Sequence, residues 1–358
     1  MVAPAEVVGV GLATPVGLTA ASVAAAVRAG ISRVRETPFW NLSFRPHLGA
    51  FVPEDALPPN LGTILLAGRE QRLVRLSVPA LREAAHRCAK PPALFLGLPE
   101  EAEVYAGRRG SPFLEALVEH SGVALDVERS RCFPLGRAAG LLALAEALRE
   151  LSEGRVAEVL VGGVDSFMDP GVLATLEAEG RLRRHGPADG LRPGEGAAFL
   201  HLCTTGEARY RRWTPLARVV GAGMGREPGH RYSQEPYLGE GLSEAVHALF
   251  EAVPSGFPPV RCVYAGFNGE SFWSKEWGVA SLRMHERFAE EPRMEHPAEN
   301  IGDPGAAYGP LMVGLASLGI RDGYRESPTL VWCSSDREAR GAVLLAAVRQ
   351  EGQRHGDG

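Results

Sequence analysis

Residues 134–166 read PLGRAAGLLALAEALRELSEGRVAEVLVGGVDS, and the order of their physical signals decides the fold. A small-residue corner, Gly136 to Gly140, opens a long run with apolar residues at helical spacing, which Gly154 ends. A segment apolar but for Glu158, Val156 to Val161, follows and runs into Gly162-Gly163. Strands that are apolar without alternation are covered on both faces, so this unit predicts a helix feeding a central strand of an α/β protein. At the corner stands Arg137. A guanidinium stays protonated and cannot act as a nucleophile.

The same grammar extends along the chain. Glu6 to Gly11 reads as a strand, Thr14-Pro15-Val16-Gly17 as a turn, and Ala20 to Arg28 as a helix with Thr19 as its N-cap and Gly30 past its end. Further helices are expected over 73–89, Phe113 to His120 and Gly136 to Leu151. Strands are expected over Ala93 to Leu98 and Ala197 to Leu202. The stretch Pro38 to Pro59, rich in Pro and aromatics, reads as a loop insertion without a period. Val7-Val8-Gly9-Val10-Gly11 is echoed by Val219-Val220-Gly221-Ala222-Gly223, and the strand-then-Gly segment Glu158 to Ser166 by Cys262 to Ser271. A duplicated α/β unit is the economical explanation, with halves over 1–205 and 214–358 and the polar segment Thr204 to Trp213 between them.

Composition excludes several classes. The 358 residues are 45% hydrophobic and 23% charged with a net charge of -5, which is ordinary for a globular protein and offers no basic stripe for nucleic acid. Among the 38 basic residues only Lys90 and Lys275 are lysines, a bias that reads as codon usage in a GC-rich genome. Cys88, Cys132, Cys203, Cys262 and Cys333 are odd in number, far apart and without a C-x-x-C pair, so neither a disulfide framework nor a zinc site is expected, and a reducing cytoplasm fits. The ten His show no metal-ligand spacing, so neither metal nor cofactor is expected. No secretory leader or membrane span is read.

Five pieces, in order, resemble ketoacyl synthases of the thiolase superfamily. EVVGVGLATPVGLTAASVAAAVRAGISRV (6–34) resembles their opening strand, turn and first helix, and GRVAEVLVGGVDS (154–166) the strand after the nucleophile helix. DGLRPGEGAAFLHL (189–202) resembles the P-G-E-G-A strand closing the first half, ARVVGAGMG (217–225) the opening of the second, and ENIGDPGAAYGPLMVGLASLGI (299–320) the G-H-x-x-G-A-A-G helix start. The resemblance implies duplicated βαβαβαββ halves stacked as an α-β-α-β-α sandwich. It also implies that the three positions which in such enzymes carry a nucleophilic Cys and two His are here Arg137, Asn268 and Asp303. The terminal G-F-G-G-T-N loop is replaced by Ser334 to Gly341, SSDREARG. The corner Gly136-Arg137-Ala138-Ala139-Gly140 is similar to the G-Q-A-G-G corner of chain-length factors, the non-catalytic partners of type II polyketide ketosynthases, with Gln changed to Arg.

The resemblance therefore implies a catalytically inactive protein working through protein–protein binding. It would form a homodimer or a heterodimer with a ketosynthase-like chain through an edge strand over about Val123 to Phe133, with an acyl carrier protein or another client as a further partner. An adaptor or co-chaperone for a bacterial secreted toxin is a second version. A third reading keeps catalysis: a malonyl-thioester decarboxylase or a condensing enzyme on non-standard residues, with Asn268 and backbone N–H groups near Ala138 as oxyanion donors. Arg137 itself has three readings: a residue reaching into a partner's tunnel, an ion-pair partner of Asp303, or a drifted residue pointing to solvent. Cys132, five residues before the corner, reads as a small core hydrophobe.

Overall fold

The computed structural model describes residues 3–348 apart from 42–43, 61, 65, 67, 101–111, 184–188 and 255. The first half runs β1 (Ala5–Ala13), α1 (Ala20–Arg28), β2 (Arg35–Trp40), β3 (Pro46–Gly49), α2 (Gly68–Ala85), β4 (Leu94–Gly97), α3 (Pro112–Ser121), β5 (Arg131–Phe133), α4 (Ala139–Ser152), β6 (Glu158–Ser166), α5 (Pro170–Ala178) and β7 (Glu195–Thr204). A short helix, α6 (Thr205–Arg211), leads to β8 (Ala217–Arg226), α7 (Glu240–Ala252), β9 (Val260–Tyr264), α8 (Ser271–Arg283), β10 (Phe288–Glu295), α9 (Ala298–Ile301), α10 (Tyr308–Arg321), β11 (Thr329–Ser334) and β12 (Ala339–Ala346).

The sheet order repeats. β1-β7-β6-β4-β5 in the first half is matched by β8-β12-β11-β9-β10 in the second, and in each the two pairings nearest the first strand are antiparallel and the two outer ones parallel. The halves join where Ala5–Val7 of β1 pair antiparallel with Ala217–Val219 of β8. Helices α4 and α10 lie between the two halves and touch strands of both, α2 and α3 cover the outer face of the first, and α7 and α8 that of the second. The result is the α-β-α-β-α sandwich. Every residue of α10 from Tyr308 to Ile320 is buried, which a helix tolerates only when apolar layers surround it on all sides. That central layer fixes the helix starts at one place between the halves.

Four expectations change. The second echo paired non-equivalent strands: by position in the sheet β6 matches β11, whereas Cys262 lies in β9, the counterpart of β4. All are inner strands covered on both faces, so their sequences read alike. The helix expected over 73–89 starts at Gly68, because its polar opening turn is held by ion pairs that periodicity does not register. Arg72, buried, donates to both carboxylate oxygens of buried Glu195 at 2.7 Å and to Glu54. Within Pro38 to Pro59, β3 forms a two-stranded hairpin with β2. Finally, only Arg131–Phe133 of the expected edge strand is β. Ser130 accepts from the Leu94 N–H and bonds back to Asp126 O, and the resulting turn diverts the chain before β5. β5 still ends the sheet order, three residues wide.

Gly163 of β6 marks how tightly the central layer packs, since a Cβ there would lie 2.2 Å from the Ala306 carbonyl oxygen. Gly163→Ala is therefore expected to cost about 1–3 kcal/mol through backbone displacement, read as a lower unfolding temperature than wild type. An unchanged melting curve would contradict the packing.

Candidate functional site

Two equivalent corners face each other in the central layer. The turn Gly136–Ala138 leads into α4, and Gly305–Ala307 leads into α10. Arg137 sits in the first and Asp303 just before the second, so the duplication itself brings them together. Arg137 is 5% exposed and Asp303 1%, and Arg137 Nε lies 3.5 Å from Asp303 Oδ2. The reading in which Arg137 drifts out to solvent is thereby corrected: the helix start is enclosed by layers on both sides. Its Nη2 donates to the Gly266 carbonyl, and its guanidinium carbon lies 4.8 Å from the Trp273 ring centre and 5.9 Å from that of Tyr308. Nε and Nη1 find no hydrogen-bond partner. Burial alone would lower the pKa of this group, but Asp303, Cys333, Asp336 and Glu270 together carry it above the usual arginine value. Arg137 is a fixed cation.

Asn268 is buried beside them. Its amide donates to Asp303 Oδ2 at 2.7 Å and to Glu270 Oε2 at 2.9 Å, while Oδ1 accepts the Glu270 N–H at 3.0 Å. Asp303 Oδ1 in turn accepts the Gly305 N–H at 2.9 Å. The structure thus joins Arg137, Asn268 and Asp303 in one constellation.

Sequence reasoning missed what surrounds it. Arg181 is held between two carboxylates, bidentate to Glu270 at 2.9 Å and to Asp336 at 2.7 and 2.9 Å, and Arg231 adds a bond to Glu270 at 2.8 Å. Fully buried Arg340 pairs with fully buried Glu276 at 2.5 Å. Burial pushes Glu270 upward, yet its bonds to Arg181 and the charges of Arg181 and Arg231 outweigh it and hold the carboxyl at about 2. The segment SSDREARG is the signal that could have found this: it trades small, apolar residues for Ser335, Asp336 and Arg340, all three of which enter the network. Ser335 Oγ accepts the Ala138 N–H at 2.9 Å and donates to the Leu135 carbonyl, tying the loop to the corner.

That bond bears on the oxyanion-donor expectation. The N–H of Ala138 is already engaged, and both amide hydrogens of Asn268 point at carboxylates. Stabilising an oxyanion needs donors aimed at where charge develops, and here they are satisfied in advance. Cys132 packs into the outer apolar cluster with α2 and α3, and Cys333, fully buried near Arg137, is pushed by burial to about 12. A thiol at that value is not a thiolate at neutral pH.

Beside the corner lies a cavity of about 630 Å³ whose walls include Glu100, Arg137, Asp165, Asp303 and Asp336. Burial and the neighbouring Asp336 charge raise Glu100 to about 7.

No protein-family model and no curated protein matches the sequence. Solved structures do. A ketosynthase from module 6 of the bacillaene synthase of Bacillus subtilis 168 superposes with a TM-score of 0.79 at 14% identity, over 97% of this chain and 72% of its own. The ishigamide ketosynthase/chain length factor gives 0.77 at 18% identity over 98% and 100%. AntDE:AntF, a type II polyketide synthase acyl-carrier protein in complex with its ketosynthase, gives 0.77 at 16% identity over 98% and 100%.

Two predictions follow from the charges. Asp303→Ala leaves a buried cation uncompensated and is expected to cost about 3–5 kcal/mol, whereas Arg137→Met costs less, because Asp303 keeps Asn268 and the Gly305 N–H; equal losses in chemical denaturation would refute this. For Glu100, raised from an ordinary 4.5 to about 7, the folded state holds its proton more tightly than the unfolded one. Its effect is a stability that falls as pH rises from about 4.5 to 7, and Glu100→Gln should flatten that part of the stability–pH curve. With the doubled sheet order, the central helix pair and these superpositions, the chain has the fold of the ketosynthase structures it resembles.

Proposed function

We propose that this chain is a catalytically inactive ketosynthase-like protein that acts by binding protein, as the partner subunit of a catalytic ketosynthase-type chain, with the halves over 1–205 and 214–358 working as one unit. The observation that carries it is the occupied corner: Arg137 stands at the helix start, fixed over Trp273, and the N–H of Ala138 beside it is bonded to Ser335. Covalent acyl transfer needs a nucleophile there and free donors for an oxyanion, and neither is present among the described residues. The structural neighbours add support, since one is a ketosynthase/chain length factor and another a ketosynthase in complex with its acyl-carrier protein. A heterodimer through the open edge of β5, with an acyl carrier protein as third partner, is the assembly we favour. A reducing bacterial cytoplasm suits the five cysteines, none of which is disulfide-bonded.

A specific observation favours a second version, an adaptor or co-chaperone for a bacterial secreted toxin. A tunnel-shaping subunit should retain apolar pocket walls, whereas Ser335, Asp336 and Arg340 line this corner with hydrogen bonds and ion pairs.

Affinity purification of the tagged chain from its native organism, with mass spectrometry, separates the versions: a Cys-bearing ketosynthase supports the first and a secreted client the second. Incubation with malonyl carrier protein tests both. The expected result is no acyl adduct on the intact chain and no carbon dioxide release above that of Asn268→Ala. An adduct, or decarboxylation lost in Asn268→Ala, would show an active enzyme instead.

A further inference from the structure

On the far side of the first half, residues distant in sequence converge on one point. Cys88 follows the end of α2, Glu158 opens β6, and His201 lies in β7. Cys88 Sγ is 3.7 Å from His201 Nε2 and 3.8 Å from Nδ1, His201 Nε2 is 2.9 Å from Glu158 Oε2, and the three ligand atoms lie within 4.8 Å of one another. We propose that Cys88, Glu158 and His201 form a binding site for a borderline-soft divalent cation, zinc above all.

The fold builds this site. His201 is fully buried between Leu200 and Leu202 in the apolar stretch of β7. Its register neighbour is Gly9 of β1, and a Cβ on Gly9 would lie 2.7 Å from the Ala84 carbonyl oxygen and 3.0 Å from His201 Cβ. The absent side chain lets the end of α2 approach the sheet, which carries Cys88 to the imidazole. Trp213 packs edge-on against the ring with centres 5.1 Å apart.

The ligand chemistry and separations fit. Thiolate, imidazole and carboxylate together suit zinc and its neighbours in the first transition row rather than magnesium or calcium. Tetrahedral bonds of about 2.3 Å to sulfur and 2.0 Å to nitrogen place those two atoms about 3.5 Å apart, close to the separation seen. Nitrogen and oxygen would open from 2.9 Å to about 3.3 Å as the ion replaces the hydrogen bond between them. Charge balances as well: one dication meets one thiolate and one carboxylate, leaving the buried site neutral. Binding releases the thiol proton to solvent. Cys88 is partly exposed, while the other four cysteines are buried. Sequence spacing hid the site because its ligands are 70 and 43 residues apart along the chain.

The test uses the whole chain. Titration with Co²⁺ is expected to give a thiolate-to-cobalt charge-transfer band saturating at one equivalent, displaced by Zn²⁺, and Zn²⁺ should protect Cys88 from alkylation by iodoacetamide as mapped by peptide mass spectrometry. Cys88→Ser should lose the band, and Glu158→Gln should weaken binding; both substitute near-isosteric groups, and circular dichroism checks that each remains folded. The site is refuted if the wild-type chain shows no thiolate band, if the band survives in Cys88→Ser, or if Zn²⁺ leaves Cys88 alkylation unchanged.

Discussion

Placing a guanidinium at the start of a central helix is the constraint from which the rest of this interior follows. Moving such an ion out of water costs several kcal/mol even after relaxation, and attraction to a nearby carboxylate offsets that only when the geometry and the remaining hydrogen bonds are good. Arg137 meets the demand in part: Asp303 lies 3.5 Å away, Gly266 accepts one bond, and the faces of Trp273 and Tyr308 take up the charge, while Nε and Nη1 go without hydrogen bonds. Arginine is suited to such a place because its charge is spread over a plane that stacks on aromatic rings and is weakly hydrated. A lysine ammonium there would be desolvated without comparable compensation.

Around this cation each charge has an opposite neighbour. Arg137, Arg181, Arg231 and Arg340 face Asp303, Glu179, Glu270, Asp336 and Glu276, so every one of these cations meets at least one carboxylate. Glu270 shows the balance most clearly, because burial and its partners pull in opposite directions and the partners win. The region consequently holds fixed, mutually oriented charges at the two helix starts, and its donors are taken up by carboxylates, a hydroxyl and a carbonyl of the chain itself.

The architecture was legible from sequence because its signals are local and physical: uninterrupted apolar strands, small-residue corners and glycine stops in a fixed order. The convergence of Arg137, Asn268 and Asp303 was legible only through the resemblance, since 131 and 35 residues separate neighbours in that set and no period links them. What stayed hidden depends on three-dimensional pairing. The polar first turn of α2 belongs to the helix because Arg72 finds Glu195, and the turn before β5 exists because Ser130 bonds to Leu94 and Asp126. The carboxylates that hold Arg181 lie 89 and 155 residues further along the chain. Charged residues in a sequence read as solvated faces unless their partners are known, so an interior assembled from ion pairs is the part of a protein that pattern reading sees least.

The same charges tie the corner, the loop after β11 and positions 268 and 303 to one another. Once a permanent cation occupies position 137, a neutral imidazole at 303 would leave it buried without a counter-charge, and Asp303 supplies one. Asp303 then needs donors for its remaining lone pairs, which Asn268 and the Gly305 N–H provide. The amide of Asn268 also reaches Glu270, whose charge requires Arg181, and Arg181 extends the chain of partners to Asp336 in the replaced loop. Each change makes the next favourable and makes its own reversal costly, because removing one member strands a charge in a low-dielectric interior. A cysteine placed at 137 alone would sit beside the Asp303 carboxylate, which disfavours its thiolate.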